Sequence, residues 1–507
     1  MPSCDAIVIG GGINGLAAAG RLALSGAKVT LLEAAPELGG MATLAHLCMG
    51  LDPPLEKSLA LADHGLVWAE RNVSSTALSP DGNHLVLKGA FAETVEGSLS
   101  AEDRRAWASL RDTLLRNASL LAPFKAMPPP RLARDHGAPL WDLLRNGLAL
   151  RRMGRDNLRE FLRLMLINVA DVLDDELADD RLKGLIAFDT VLSHHAGPRS
   201  PNSLLGLYHR ISSEVNGQQG AIALPRGGMA AVIAALAGAV RARGVTIQTS
   251  ARVKAITAED DRVQSVTLES GEIFTTSLVV SALHPATTLL SLVGAPVLDT
   301  GVVRNVSNIK SRGSTAKLTL TLQGKPDFHG ADLRSRLVIA PSVRAVEEAF
   351  NAVKYDAFSE APVMEIMFPQ AFSTEPDLGR HTLSALVQFA PHDLRMGWAK
   401  GKPAFLKAIM KQLEDHSPGI GKQVIAADLL TPHDIAQRFG APGGQWHHAE
   451  LSVEQMLFLR PGVGLAQYAT PVRGLYLASA AMHPGGGVNG SAGWNAAGHA
   501  LAKGGAA

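Results

Sequence analysis

The chain has 507 residues, too many for one ordinary domain and enough for two or three interwoven ones. Its 46% hydrophobic and 19% charged residues suit a well-buried globular enzyme and exclude a disordered chain. A formal net charge of +1 leaves no global field to recruit nucleic acid or an acidic membrane.

The two cysteines, Cys4 and Cys48, form no CxxC pair and no zinc-ligand spacing. That argues against a disulfide framework and dithiol redox chemistry, and no metal site is expected. The sequence starts almost directly at a strand, without the charged n-region, apolar h-region and cleavage site of a secretory signal. No apolar stretch reaches the roughly 18 to 20 residues that span a bilayer. The expectation is a soluble cytoplasmic protein.

"DAIVIGGGINGLAAAGRLALSGAKVTLLEAAPELGGMA", Asp5 to Ala42, reads as a nucleotide-binding opening. A strand over Ala6–Ile9 leads into Gly10, Gly12 and Gly15 and a helix from near Ile13. Gly10 permits the tight turn, Gly12 lets a pyrophosphate approach the backbone, and Gly15 lets the helix sit on the strand. The helix N-terminus offers unpaired N–H groups to phosphate. Gly26 ends the helix, and a strand over Val29–Leu32 closes on Glu33. That carboxylate suits ribose hydroxyls and repels a 2′-phosphate, which disfavours NADP. Gly39-Gly40 follow. On this segment alone, NAD and FAD both remain open.

Residues 76–214 read as mostly helical. "SAEDRRAWASLRDTLLRNASLLAPF" has Ser100 as N-cap with Asp103 three residues on. Pro128-Pro129-Pro130 then break the chain. "RDNLREFLRLMLINVADVLDDEL", Arg155–Leu177, continues with a helical apolar stripe. The arginines from Arg145 to Arg163 allow peripheral membrane contact or a solvated helix face. Asp171–Asp180 lacks calcium-loop spacing, and His194-His195 has no third ligand nearby. Residues 315–323 and "HTLSALVQFAP", His381–Pro391, read as strands.

Near the C-terminus, "GLYLASAAMHPGGGVNGSAGWNAAGHALA" gives a strand over Leu475–Ala480, a loop over Met482–Asn489 and a helix from about Gly490. Three consecutive glycines before a helix make a second anion-seeking site. A dinucleotide held from both ends of the chain suggests a long, buried cofactor.

These segments resemble the flavin-dependent amine oxidase and phytoene desaturase superfamily. The likeness rests on Gly10–Gly15 with Glu33 and Gly39-Gly40, "GPRSP" at Gly197–Pro201 and "LPRGGM" at Leu224–Met229. It continues with "WHHAELSVEQMLFLRP" at Trp446–Pro461 and "HPGGGVNGSAGWNAA" at His483–Ala497. More closely it resembles the phytoene dehydrogenase-related subgroup, that of pyridine nucleotide-disulphide oxidoreductase domain-containing protein 2. The resemblance implies an α/β fold, a three-layer Rossmann-type FAD-binding domain interwoven with an α+β substrate domain. The FAD-binding parts would be residues 1–75, 215–300 and 440–507. The substrate domain would be residues 76–214 and 301–439.

The resemblance further implies that Gly10, Gly12, Ile13, Asn14 and Gly15 hold the FAD pyrophosphate and Glu33 the adenosine ribose. Gly39, Gly40 and Met41 adjoin the cofactor, and the backbone at Val253 meets adenine. That strand belongs to a hairpin turning at Asp260–Arg262. Gly485, Gly486, Gly487, Val488 and Asn489 pack beside the isoalloxazine. Neither cysteine matches a covalent flavin link. His448 is a candidate general base with Glu450 orienting it, or both are structural. His483 reads as a turn former.

The leading expectation is an FAD-dependent dehydrogenase or desaturase acting on an apolar or partly apolar small molecule. The electron acceptor is left open among a quinone, dioxygen and other oxidants. An FAD amine oxidase using dioxygen is the alternative; a flavin-binding chaperone or assembly protein without turnover is the third. The single Rossmann unit implies that NADH and NADPH do not reduce the flavin directly.

Overall fold

In the computed structural model, residues 4–129, 154–215, 217–373, 378–456 and 459–504 are described. Five short strands build a parallel sheet in the order Thr246–Gln248, Val29–Leu32, Ala6–Ile9, Val279–Ser281, Leu475–Leu477. Its three central strands are buried on both faces, which explains why Thr30 and Ser281 alone interrupt their apolar residues. The helices Ile13–Leu24, Met229–Arg241 and Ser491–Gly504 cover it, and the first packs against both others. Small residues allow close approach there: a Cβ at Gly493 would lie 1.8 Å from the Asn14 carbonyl oxygen.

The predicted hairpin is present. Val253–Glu259 and Arg262–Leu268 pair antiparallel, and Ile273–Thr275 adds a third strand. Asp260 and Asp261 take φ of 50° and 57°, the left-handed pair that a two-residue hairpin turn requires. Ile256, Val266 and Phe274 join the same core as the parallel sheet.

A second sheet has eight strands, ordered Val424–Leu430, Thr315–Gln323, Arg380–Gln388, Val363–Met367, Arg336–Ile339, Ser75–Ala77, Leu85–Lys88, Thr94–Glu96. Its pairings are antiparallel except Arg336–Ile339 with Ser75–Ala77. The first part of residues 76–214 is therefore strand, not helix. These strands are three or four residues long, too short for a periodic signal, and their partner at Arg336–Ile339 lies far along the chain.

The helices that follow match their local signals. Ser100 Oγ accepts from the Asp103 amide at 2.9 Å and donates to its carboxylate at 3.0 Å, capping Ala101–Lys125. The stripe at Arg155–Leu177 divides into Arg155–Leu166 and Val169–Glu176, because the Asn168 side chain caps the second helix at the Asp171 amide. Of the arginine-rich stretch, residues 145–153 lie outside the described residues. No helix among the described residues is long and apolar enough to cross a membrane.

Strand alternation decides what the second sheet shows to each side. Leu318 and Leu320, Ala385 and Val387, Met364 and Ile366, and Leu337 and Ile339 pack to one side in a core with Phe405, Ile409 and Leu413. Lys317, Ser384, Glu365 and Arg336, one from each of these four strands, therefore fall on the other side.

Candidate active site

The first glycine loop is built by close backbone contacts. Gly10 has φ 101°, and a Cβ at Gly15 would lie 1.8 Å from the Gly10 carbonyl oxygen. At Gly12 a Cβ would meet nothing nearer than the Gly39 carbonyl oxygen at 3.8 Å. Gly12 precedes Ile13–Leu24 without a side-chain cap, leaving the helix N-terminus free for an anion. Glu33 secures the loop: Oε2 accepts from the Gly11 amide at 2.6 Å and Oε1 from the Ala35 amide at 2.8 Å.

A cavity of about 910 Å³ runs past this loop. Gly10, Gly12, Ile13, Asn14, Glu33, Gly39, Gly40, Met41, Val253, Gly486, Gly487, Val488, Asn489 and His448 all line it. Gly15, Gly485 and Glu450 do not. Two glycine loops from opposite ends of the chain thus meet one cavity, whose size and anion-seeking helix terminus fit a dinucleotide such as FAD. Cys48 is wholly buried, and desolvation pushes its thiol up to about 12, which leaves it unreactive.

Glu450 does not orient His448. Its carboxylate takes Arg312 Nε at 2.8 Å, Nη2 at 3.0 Å and the Arg312 amide at 3.1 Å. His448 has φ 58°, and its carbonyl accepts from Ser311 Oγ at 2.8 Å. Its Nδ1 is buried with no hydrogen-bond partner. Burial, then the Arg460 charge, pushes its imidazole down to about 4. His447 also lines the cavity, with both ring nitrogens unpartnered. His194 stands 5.2 Å away between ring centroids and His209 6.2 Å away. His209 Nε2 meets the Gly486 carbonyl at 2.8 Å, which requires the N–H tautomer at that atom. His483 is buried, its Nε2 2.6 Å from the Phe124 carbonyl.

Part of the cavity wall is ionic. Asp189, Arg210, Glu365 and His46 line the cavity. Arg210 Nη1 lies 2.5 Å from Asp189 Oδ2. Fully buried Arg336 bridges Asp189 at 2.7 Å and Glu365 at 2.9 Å. His46 Nε2 lies 2.8 Å from Glu365 Oε1, and its Nδ1 lies 3.0 Å from Ser384 Oγ and 3.3 Å from Lys317 Nζ. Burial opposes charge on Glu365, but His46 and the arginines outweigh it and hold the carboxyl down to about 2. Burial pushes Lys317 down to about 7 despite Glu365. Sequence reasoning missed this group. Its one visible signal was a lysine inside the alternating strand "TAKLTLTLQ".

Away from the cavity, His392, Asp393 and His433 bring ligand-type atoms within 4.8 Å of one another, although no metal site was expected.

Residues 145–501 match the flavin-containing amine oxidoreductase family, and residues 8–65 match an NAD(P)-binding Rossmann-like domain. The chain is 29% identical to rat pyridine nucleotide-disulfide oxidoreductase domain-containing protein 2, over 98% of this chain and 93% of that protein. It is 23% identical to a lycopene-forming phytoene desaturase of Pseudescherichia vulneris, over 62% of this chain and 61% of that one. Its fold is like that of cyclohexylamine oxidase from Brevibacterium oxydans, with TM-score 0.58, 18% identity and coverage of 99% and 98%. An α/β Rossmann-type fold with a flavin-sized cavity and a family match over most of its length make this chain a member of the flavin-containing amine oxidoreductase family.

Proposed function

We propose that this FAD-dependent oxidoreductase is a dehydrogenase of the desaturase type, taking hydride from a C–H bond of a partly apolar small molecule. One observation carries this: a single cavity joins both glycine loops to a chamber walled by Met49, Leu192, Leu386 and Trp446. In this assignment Gly10–Gly15 hold the pyrophosphate, Glu33 the ribose, and the Val253 backbone the adenine. Gly39, Gly40 and Met41 form the adjoining wall, and Gly485–Asn489 flank the isoalloxazine. The five segments that alternate between the two sheets make the FAD-binding and substrate domains. When bound, FAD supplies the hydride acceptor; the protein positions the C–H bond and excludes water.

The ionic wall refines the substrate. Asp189, Arg210, Glu365 and His46 are paired within the wall, so a pure hydrocarbon would leave their remaining polarity unused, whereas a polar group on the substrate could share it. An apolar body with a hydrogen-bonding end fits better.

Amine oxidation with dioxygen stands second. The fold likeness to an amine oxidase supports it. Against it, among the described residues Trp446 and Phe439 are the aromatic carbocycles in the lining, and no tyrosine joins them to cage an ammonium group.

Anaerobic mixing with two panels, terpenoid or fatty compounds and amines, tests the order of these assignments. Loss of visible flavin absorbance with the first panel is the expected result. Bleaching by amines, with peroxide released in air, gives the oxidase. A flavin that dithionite reduces but no substrate bleaches gives the protein without turnover. The electron acceptor follows from reoxidation rates with a quinone and with dioxygen.

A cytoplasmic protein of this kind would touch a membrane at the helix Arg155–Leu166. Leu162 and Leu166 are exposed there by 52% and 63%, beside Arg159 and Arg163. Co-flotation with anionic vesicles tests that contact.

A further inference from the structure

Arg460 closes the segment "MLFLRP" and is 0% exposed. Six backbone carbonyls accept its hydrogen bonds: Met482 at Nε, Glu450 and Gln455 at Nη1, and His447, Ala449 and Ala480 at Nη2, at 2.9–3.3 Å. No carboxylate pairs with it among the described residues; Glu450, which lends its carbonyl, has its carboxylate on Arg312. The carbonyl dipoles satisfy the donors, but the unit charge remains. Burial alone pushes the guanidinium down to about 9, so it is still charged at neutral pH. A charge in a weakly screening interior acts farther than one in water.

Its position decides what that charge acts on. A Cβ at Gly485 would lie 3.6 Å from Arg460 Nε, and Gly486 and Gly487 next in the chain line the cavity. Arg460 therefore stands one residue layer behind the wall assigned to the isoalloxazine. After burial, its charge is among the causes that push His194, His447 and His448 down, so these imidazoles stay neutral and add no further positive charge. Tying the loops at 447–455 and 480–482 together would need hydrogen bonds, but not an uncompensated cation.

We propose that Arg460 is a positioning residue for charge: its fixed guanidinium stabilises the negative charge that the flavin gains with the hydride, raising the flavin's two-electron potential. This rests on the flavin assignment above. With FAD bound, the substrate C–H bond would break and its electron pair and hydrogen would form an N–H bond on the flavin, while the proton lost from the neighbouring carbon would pass to a base, for which His448 is the candidate; Arg460 would keep its protons throughout.

The test uses FAD-loaded protein and two readouts other than turnover. One is the midpoint potential. The other is titration with sulfite, whose sulfur lone pair bonds to the oxidised flavin and leaves the ring anionic, with no leaving group. Wild-type protein should have a potential above that of free FAD and should form the sulfite adduct. Arg460→Gln keeps part of the hydrogen bonding and removes the charge. It should weaken sulfite binding at least about ten-fold, which corresponds to about 30 mV for a two-electron couple. Arg460→Lys should stay near wild type. The proposal is overturned if the Gln and Lys variants behave alike, or if the wild-type potential is at or below that of free FAD. Should neither variant hold FAD, the wild-type potential decides alone. Purified protein that cannot bind FAD sinks the flavin assignment as well, whereas FAD-loaded protein of low potential sinks only the role of Arg460.

Discussion

Both oxygens of the Glu450 carboxylate are held by Arg312, Oε1 at 2.8 Å from Nε and Oε2 at 3.0 Å from Nη2. Glu450 is thereby a strut between the chain at Arg312 and the loop carrying His447 and His448. Glu450→Gln should lower stability, by about 1 kcal/mol because the Arg312 side chain is 61% exposed and screened by solvent. Urea denaturation of the holoprotein measures this, and flavin reduction should keep its wild-type rate. A large loss of rate at unchanged stability would return Glu450 to the chemistry.

His448 is the candidate base left standing, with Nδ1 buried and unpartnered at the cavity. His448→Ala should slow flavin reduction by about 10²- to 10⁴-fold while FAD content stays normal. The imidazole lies near 4, so it is neutral, and able to accept a proton, above that pH. The reduction rate should hold level where this group controls it and fall only as pH drops through about 4. A variant that loses FAD yet reduces its remaining flavin at full speed would make His448 structural.

Gly12→Val and Gly15→Ala should fail differently. At Gly12, φ −73° and ψ 178° suit any residue, and the added side chain enters the cavity. That protein should fold and purify colourless. At Gly15 the new Cβ would strike the Gly10 carbonyl oxygen, so the strand–helix junction itself must move. Gly15→Ala should therefore lower the melting temperature of flavin-free protein, while Gly12→Val leaves it near wild type.

Glu365 should steepen acid unfolding. Its carboxyl is held at about 2 when folded and returns to about 4.5 when unfolded. Between those values the unfolded chain binds more protons, so stability falls as pH falls through the window. The stabilisation, on the order of 3 kcal/mol, is fully present above the unfolded value. Glu365→Gln should flatten this acid limb in denaturation curves from pH 5 to about 2. It also removes one of the two carboxylates that Arg336 bridges, leaving Asp189, so the variant should be less stable at neutral pH.

Among the described residues, the parallel sheet carries one glycine loop of the dinucleotide type, and FAD is assigned to it. Stopped-flow mixing with NADH or NADPH should leave the flavin oxidised over seconds. Rapid bleaching by either would restore a pyridine-nucleotide oxidoreductase.

The sequence alone determined what depends on near neighbours. Gly10–Gly15 with Glu33 announced the nucleotide fold, because a turn, a helix start and a strand end each need particular residues within a few positions. Ser100, the Asp260–Asp261 turn and the strand Thr315–Gln323 were legible for the same reason. Tertiary structure decided what depends on which strands become neighbours. Lys317, Glu365, Arg336 and Ser384 are scattered across the chain, and only the order and register of the second sheet place them on one face. His46, Asp189 and Arg210 reach that wall from other segments. The family resemblance suggested Glu450 as a partner for His448, but Arg312, brought close by the fold, offers two directed N–H donors and a full charge. The cation of Arg460 was likewise invisible in "MLFLRP", since its burial and its missing counter-charge are properties of two loops folded around it.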